Sequence, residues 1–287
     1  MTRKIACITV DVEADFLDPT GRIRLFEDQA LLERFTAIIQ GSGARVTAFL
    51  VTSLLPKHGA AYRRLSEQIP LEFALHSHAH DMHNPCSRAD IQQAARALEA
   101  FTGTKPIGYR APVGKINREG LQSLMELGLR YDSSIYPSRR PGKWGYNNLH
   151  LPVSPFLITD GDRSIVEIPF GSLSGIRLNF SLSYVKLLGW PAYALLLKLF
   201  PLPAQVSVLS HPHDYYFHLV KDDVQTIEKV LLARNARAAF DLLERMIAYL
   251  RAAGYELAFM STLCDALPLD SLPRIALDRV APDGKPG

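Results

Sequence analysis

Cysteine is scarce: Cys7, Cys86 and Cys264 are the only three in 287 residues, far apart and without a CxxC pair. That excludes a disulfide framework and a thiolate zinc site, and it fits a reducing compartment. Long apolar runs are missing too. The longest, residues 187–197, contains Pro191 and is bounded by Lys186 and Lys198, well short of the roughly 20 residues a spanning helix requires. No apolar stretch of signal-peptide length precedes the carboxylates at Asp11 and Glu13, so a cytoplasmic location is expected. Nor is one sign of charge in excess. The 32 Lys+Arg against 29 Asp+Glu leave +3, too balanced for the basic footprint of a nucleic-acid binder. At 47% hydrophobic and 21% charged, neither disorder nor a coiled rod is in question.

What is present is an alternation of short β-rich runs with helical ones. Strands are predicted at residues 5–10, 46–51, 71–75, 107–110, 129–131, 165–168, 206–209 and 257–259, and helices at 30–40, 60–68, 88–101 and 236–253. Ser87 and Asp90 have the spacing of a capping box, and Gly254 supplies a helix stop. Repeated βα units of this number point to an α/β fold closed as a distorted barrel of seven or eight units. One domain over residues 1–267 is expected, with a loosely ordered tail at 268–287, rich in Pro and Asp.

In parallel barrels the chemistry gathers where strands end, and four predicted strand ends carry ionisable groups. They are Asp11, Glu13 and Asp15; the run His76-Ser77-His78-Ala79-His80-Asp81-Met82-His83; Arg110; and His211-Pro212-His213-Asp214. Four of the nine histidines fall within eight residues, 76–83. His76 and His80, at i and i+4, suit one metal with a carboxylate of the Asp11 segment as third ligand, an open arrangement common in hydrolytic zinc sites. Asp11 and Glu13 point the same way in a strand, so one carboxylate can hold the metal while the other takes a proton from its water. Arg110 suits a partner for such a carboxylate, and His211 a general acid oriented by Asp132 or Asp214.

This ordered set resembles the polysaccharide deacetylase superfamily, the NodB-homology or family-four carbohydrate esterases. His76-Ser77-x-x-His80, with the leading Glu72, is similar to its H[ST]xxH metal motif. Arg110-Ala111-Pro112-Val113-Gly114 resembles RxPxG, Tyr131-Asp132-Ser133-Ser134 the fourth motif, and Leu209-Ser210-His211-Pro212 the last. The resemblance implies a NodB-type (β/α) barrel and metal-dependent removal of an acyl group from nitrogen, usually on an N-acetylated sugar. It assigns Asp11 as base, His76 and His80 as ligands of one divalent ion, expected to be Zn2+, Arg110 as the residue orienting the base, and His211 as the acid. Pro112 and Tyr136 are expected to line the substrate. Two motifs depart from the usual pattern. Val12 follows Asp11 where two adjacent aspartates are common, which makes Glu13 the third ligand with Asp15 behind it. Ile135 and Tyr136 stand where many members have an Asp–Trp pair, leaving the tether of His211 open between Asp132 and Asp214.

The substrate expected is an N-acetyl or N-formyl amino sugar, including one carried on a polyprenyl phosphate. Residues 184–203, with Trp190, Leu196 and Phe200 and the two lysines Lys186 and Lys198, form a segment for peripheral contact with the inner face of the membrane, the lysines meeting lipid phosphates. Hydrolysis of a small or cyclic amide, and glycan binding without turnover, are the alternatives. Oligomeric state is not legible.

Overall fold

The computed structural model describes residues 3–15, 18, 20–142, 145–220 and 232–281. Its strands are β1 (Ile5–Val12), β2 (Val46–Leu50), β3 (Leu71–Leu75), β4 (Gly108–Tyr109), β5 (Tyr131–Asp132), β6 (Arg139–Arg140), β7 (Tyr146–Asn147), β8 (Phe156–Asp160), β9 (Arg163–Glu167), β10 (Gln205–Ser210), β11 (Glu256–Leu257) and β12 (Arg274–Ala276). They build a ten-stranded sheet in the order β10-β1-β2-β3-β4-β5-β9-β8-β12, with β11 also paired to β1, and a separate β6-β7 pair. All pairings of the large sheet are parallel except β8 with β9. Parallel bridges from Phe170 to Ser207 and from Ser181 to Leu209 bring the chain that leaves β9 back onto β10, closing the ring. This is the distorted NodB-type barrel expected from the sequence.

β1 lies between β10 and β2 and is buried along its whole length. That is why it reads as a continuous apolar run broken only by Thr9 and Asp11. The helix Gln29–Ser42 starts where Asp28 accepts from the amides of Ala30 and Leu31, and ends on the left-handed Gly43. The helix Arg88–Thr102 is capped by Ser87, which accepts from Asp90 N. The Asp90 carboxylate does not complete the box; it accepts from the amides of His78 and Ala79 at 2.7 and 2.8 Å. A helix Ala239–Ala252 follows a short 3-10 turn, Ala236–Ala238.

Three features differ from the sequence reading. The antiparallel hairpin β8–β9 turns at Gly161 (φ +58°), a two-residue Gly-Asp connection whose hairpin signal lay in the sequence. The tail expected to be loose contributes β12, in register with β8, and buries Leu277, while Asp278 pairs with Arg118; residues 282–287 of that tail lie outside the described residues. Residues 184–203 form two helices, Leu182–Leu188 and Trp190–Leu199, parted at Gly189 (φ +80°). There Tyr193 and Leu197 are buried and Trp190, Leu196 and Phe200 pack against the core, so the outward apolar face is made instead by Leu188, Leu195 and Leu199. Lys186, expected at the surface, is fully buried. Among the described residues no helix is long and apolar enough to cross a membrane.

Candidate active site

Thr9 and Asp11 project from one face of β1 and Glu13 continues that face beyond the strand end. Beyond β3, His76 is anchored by its amide to Leu50 O. The chain then passes through positive φ at Ser77 (+72°) and His80 (+54°), with Ser77 Oγ accepting from His80 N at 3.0 Å. This tight loop, pinned by Asp90, folds His80 back to 5.2 Å from His76, centroid to centroid.

One ligand atom from each of Glu13, His76 and His80 lies within 4.8 Å of the others, a group that could hold a metal ion. Glu13 Oε2 is 2.6 Å from His80 Nε2 and 3.9 Å from His76 Nε2. His76 Nδ1 is 2.8 Å from the Arg110 carbonyl, which can only accept, so Nδ1 carries the proton and Nε2 keeps a free lone pair toward the carboxylates. Burial lowers the His76 pKa to about 4, against the opposing pull of Asp11 and Glu13, and thus favours the neutral ring a cation needs. Burial works against charge on Glu13 as well, but His80, with His211 and His213, outweighs it and holds the carboxyl well below its usual range. His80 Nε2 is buried without an aligned hydrogen-bond partner. The donor set therefore fits a divalent cation.

Asp11 sits at 3.8 Å from His76 Nε2 through Oδ2, while Oδ1 accepts from Arg110 Nη1 at 2.6 Å. Arg110, at the end of β4 and fully buried, also donates to Thr9 Oγ1, Ser207 Oγ, Ser133 Oγ and the Ser133 carbonyl. Its guanidinium lies between the rings of Phe49 and Phe170, at 4.0 and 4.5 Å. Phe170 stacks on Tyr136 at 3.8 Å, and Tyr136 on Tyr146 at 5.1 Å. Gly114 of the RxPxG-like motif has φ +68°, and a Cβ there would come within 2.5 Å of the Tyr136 ring. Pro112 is buried beside it.

At the end of β10, His211 Nδ1 lies 3.5 Å from Asp214 Oδ2, which also accepts from His211 N at 2.9 Å. Burial opposes charge on His211, but Asp214, Glu13 and Asp11 outweigh it and raise its pKa to about 9. Asp214 is held far below the carboxylate range, burial being overcome by Lys186, His211 and His213. Of the two tether candidates, then, Asp214 is the one brought to His211. Asp132 is turned to Ser134 and to its register partner Glu167; burial raises the pKa of both carboxyls, so the pair retains a proton. Asp15, the reserve ligand, is withdrawn, both its oxygens accepting from Arg24 N.

The sequence reading passed over Asp90, Phe170, Ser207, Ser183 and Lys186 as parts of the site. Asp90 was legible only as a helix cap, and Lys186 only as a charge beside an apolar run.

Residues 3–131 match the family described as Polysaccharide deacetylase. A peptidoglycan deacetylase-like protein of Gibberella zeae is 34% identical over 71 residues, 22% of this chain and 20% of its own length, so the match spans about a fifth of that relative. Among solved structures, one assigned as a polysaccharide deacetylase from Mycobacterium smegmatis is 20% identical with a TM-score of 0.59, over 96% of this chain and 94% of that one. Another so assigned, from Pseudomonas aeruginosa, is 15% identical with a TM-score of 0.55, over 91% and 89%. A family-four carbohydrate esterase pseudoenzyme from Bacillus anthracis is 14% identical with a TM-score of 0.53, over 96% and 70%. These identities speak to the fold. Over residues 3–131, on a barrel of this architecture, the chain is similar to the polysaccharide deacetylase family, a family of hydrolases acting on carbon–nitrogen bonds other than peptide bonds and metal-dependent in general.

Proposed function

We propose that this chain hydrolyses the N-acyl group, acetyl or formyl, of an amino sugar, with one Zn2+ held by Glu13, His76 and His80. The observation that carries this reading is the meeting of those three ligand atoms, within 4.8 Å, beside an Asp11 that they leave free and Arg110 holds. A bound cation would polarise the amide carbonyl and acidify water. Asp11, its Oδ1 taken by Arg110, presents Oδ2 on the ligand side and accepts the proton of the attacking water. His211 gives a proton to the departing nitrogen as the C–N bond breaks, since an unprotonated amine leaves poorly. The half-buried Tyr136, both faces of its ring stacked by Phe170 and Tyr146, offers its ring edge to the sugar.

A lipid-linked substrate and peripheral membrane contact rest on the outward face of Leu188, Leu195 and Leu199, with the last two 57% and 62% exposed. The pairing of Asp11 with Arg110 and of His211 with Asp214 argues against glycan binding without turnover. The test is incubation of the Zn2+-loaded chain with N-acetyl and N-formyl amino-sugar conjugates, free and polyprenyl-linked, read by mass spectrometry. Loss of the acyl mass, abolished by chelator, is expected. Full metal occupancy with no acyl loss from any sugar would overturn the reading, and turnover of soluble sugars alone would remove the lipid carrier.

A further inference from the structure

Lys186 lies on the helix Leu182–Leu188, fully buried, and its Nζ donates to Asp214 Oδ1 at 2.8 Å and to the Asp214 carbonyl at 3.1 Å. Ser183, one turn earlier on the same face, donates to the same carboxylate at 2.9 Å. Its hydroxyl also lies 3.2 Å from Oδ2, the oxygen that accepts from His211 N and faces the His211 ring. Both ends of the helix are fixed. Ser181 bridges to Leu209, on the strand that delivers His211, and accepts from Tyr184 N, while the Lys186 carbonyl accepts from Asn235 Nδ2 at 2.7 Å. A buried Lys–Asp pair is a poor way to stabilise a fold, since apolar residues of the same volume do as well or better once desolvation is counted. Its position against one catalytic side chain gives it another use.

We propose that Lys186 is a positioning residue for His211: by occupying Oδ1 of Asp214 it commits Oδ2 to His211, keeps Nδ1–H toward that oxygen, and offsets the carboxylate charge so that the imidazolium releases its Nε2 proton more readily. This rests on the reading of His211 as proton donor. In that step the proton passes from Nε2 to the departing nitrogen as its bond to the acyl carbon breaks, and the ring is left neutral. The charged and titratable groups facing His211 are Asp214 and His213 from its own turn, Glu13 and Asp11 from the end of β1, and His80 from the loop after β3. Lys186 acts through Asp214, and its replacement leaves the others in place.

The test uses the full chain supplied with Zn2+, with 15N-labelled histidine observed by NMR across pH, in wild type, Lys186→Gln and Lys186→Arg. Gln keeps a donor for Oδ1 and removes the charge. The expected result is a His211 proton affinity raised about tenfold in Lys186→Gln, within about twofold of wild type in Lys186→Arg, and Nδ1 protonated in the neutral wild-type ring. An unchanged His211 titration in folded Lys186→Gln, or a neutral ring protonated on Nε2, overturns the proposal. If Lys186→Gln does not fold, Lys186→Met/Asp214→Asn, which buries no charge, is compared with Asp214→Asn: a higher His211 affinity in the double variant than in Asp214→Asn supports the charge offset by Lys186, and an equal one refutes it. None of these readouts requires turnover, so absence of deacylation counts against the hydrolase reading alone.

Discussion

Replacing Arg110 by Met removes a fully buried guanidinium that makes five hydrogen bonds and leaves the Asp11 carboxylate, itself buried, without its cation. Breaking a buried ion pair from one side costs about 3–5 kcal/mol, because the surviving charge stays desolvated. At about 2–4 °C per kcal/mol for chains approaching this size, that is a fall in Tm of roughly 6–20 °C. The partner change Asp11→Asn leaves Arg110 buried but with its bonds to Thr9, Ser133 and Ser207 intact, so about 1–3 kcal/mol is expected. The double variant buries no unpaired charge at this point. It should be destabilised by less than the sum of the two, with a coupling of about 1–3 kcal/mol, in the range for residues in contact. Urea unfolding followed by far-UV circular dichroism, on chain freed of metal by chelator so that ligand binding does not enter, measures all four corners. Additivity within about 0.5 kcal/mol would refute the claim that the two charges stabilise one another.

Asp11→Asn should retain its metal by elemental analysis while kcat falls by about 10²–10⁴, the span of a lost general base; loss of the metal would exchange the roles of Asp11 and Glu13. His80→Ala should lower metal content, and equal content in variant and wild type would remove His80 from the ligand set. Burial and Asp132 push the Glu167 pKa above the usual carboxyl range, so its protonated form contributes stability fully below about pH 4 and progressively less as pH rises toward the folded pKa. Glu167→Gln keeps a donor toward Asp132, and its Tm should gain on wild type as pH rises above about 5; a difference independent of pH would contradict a shared proton.

How far the sequence could be read followed from the range of each signal. Asp11, Glu13, His76, Arg110 and His211 stand at or just after the end of an apolar run, with His80 four residues beyond His76, and in a parallel barrel that local position carries them to one rim. The hairpin β8–β9 and the docking of β12 on β8 escaped because neither repeats the βα period by which the other strands were recognised. The choice between Asp132 and Asp214 could not be made locally, since both follow strands. It is settled by pairing: Asp132 falls opposite Glu167 in the β5–β9 register, whereas Asp214 stands at i+3 from His211 on a 3-10 turn.

Lys186 shows what such reading misses in principle. A lysine at the edge of an apolar helix is ordinarily a solvated end, and nothing within a turn of it announces a carboxylate partner 28 residues away. Only closure of the ring, with Ser181 laid beside Leu209, brings that helix face over Asp214. Ser133 and Ser207 at Arg110 have the same origin, as each comes from a different strand and is brought to one guanidinium by the same closure. The residues of the candidate metal group were legible because they lie at the ends of β1 and β3, whereas those that set charge and orientation behind them exist only as contacts between strands and helices distant in sequence. Variants of this second group therefore test the barrel's closure as much as its chemistry, and His211 titration, which reads one side chain directly, separates the two.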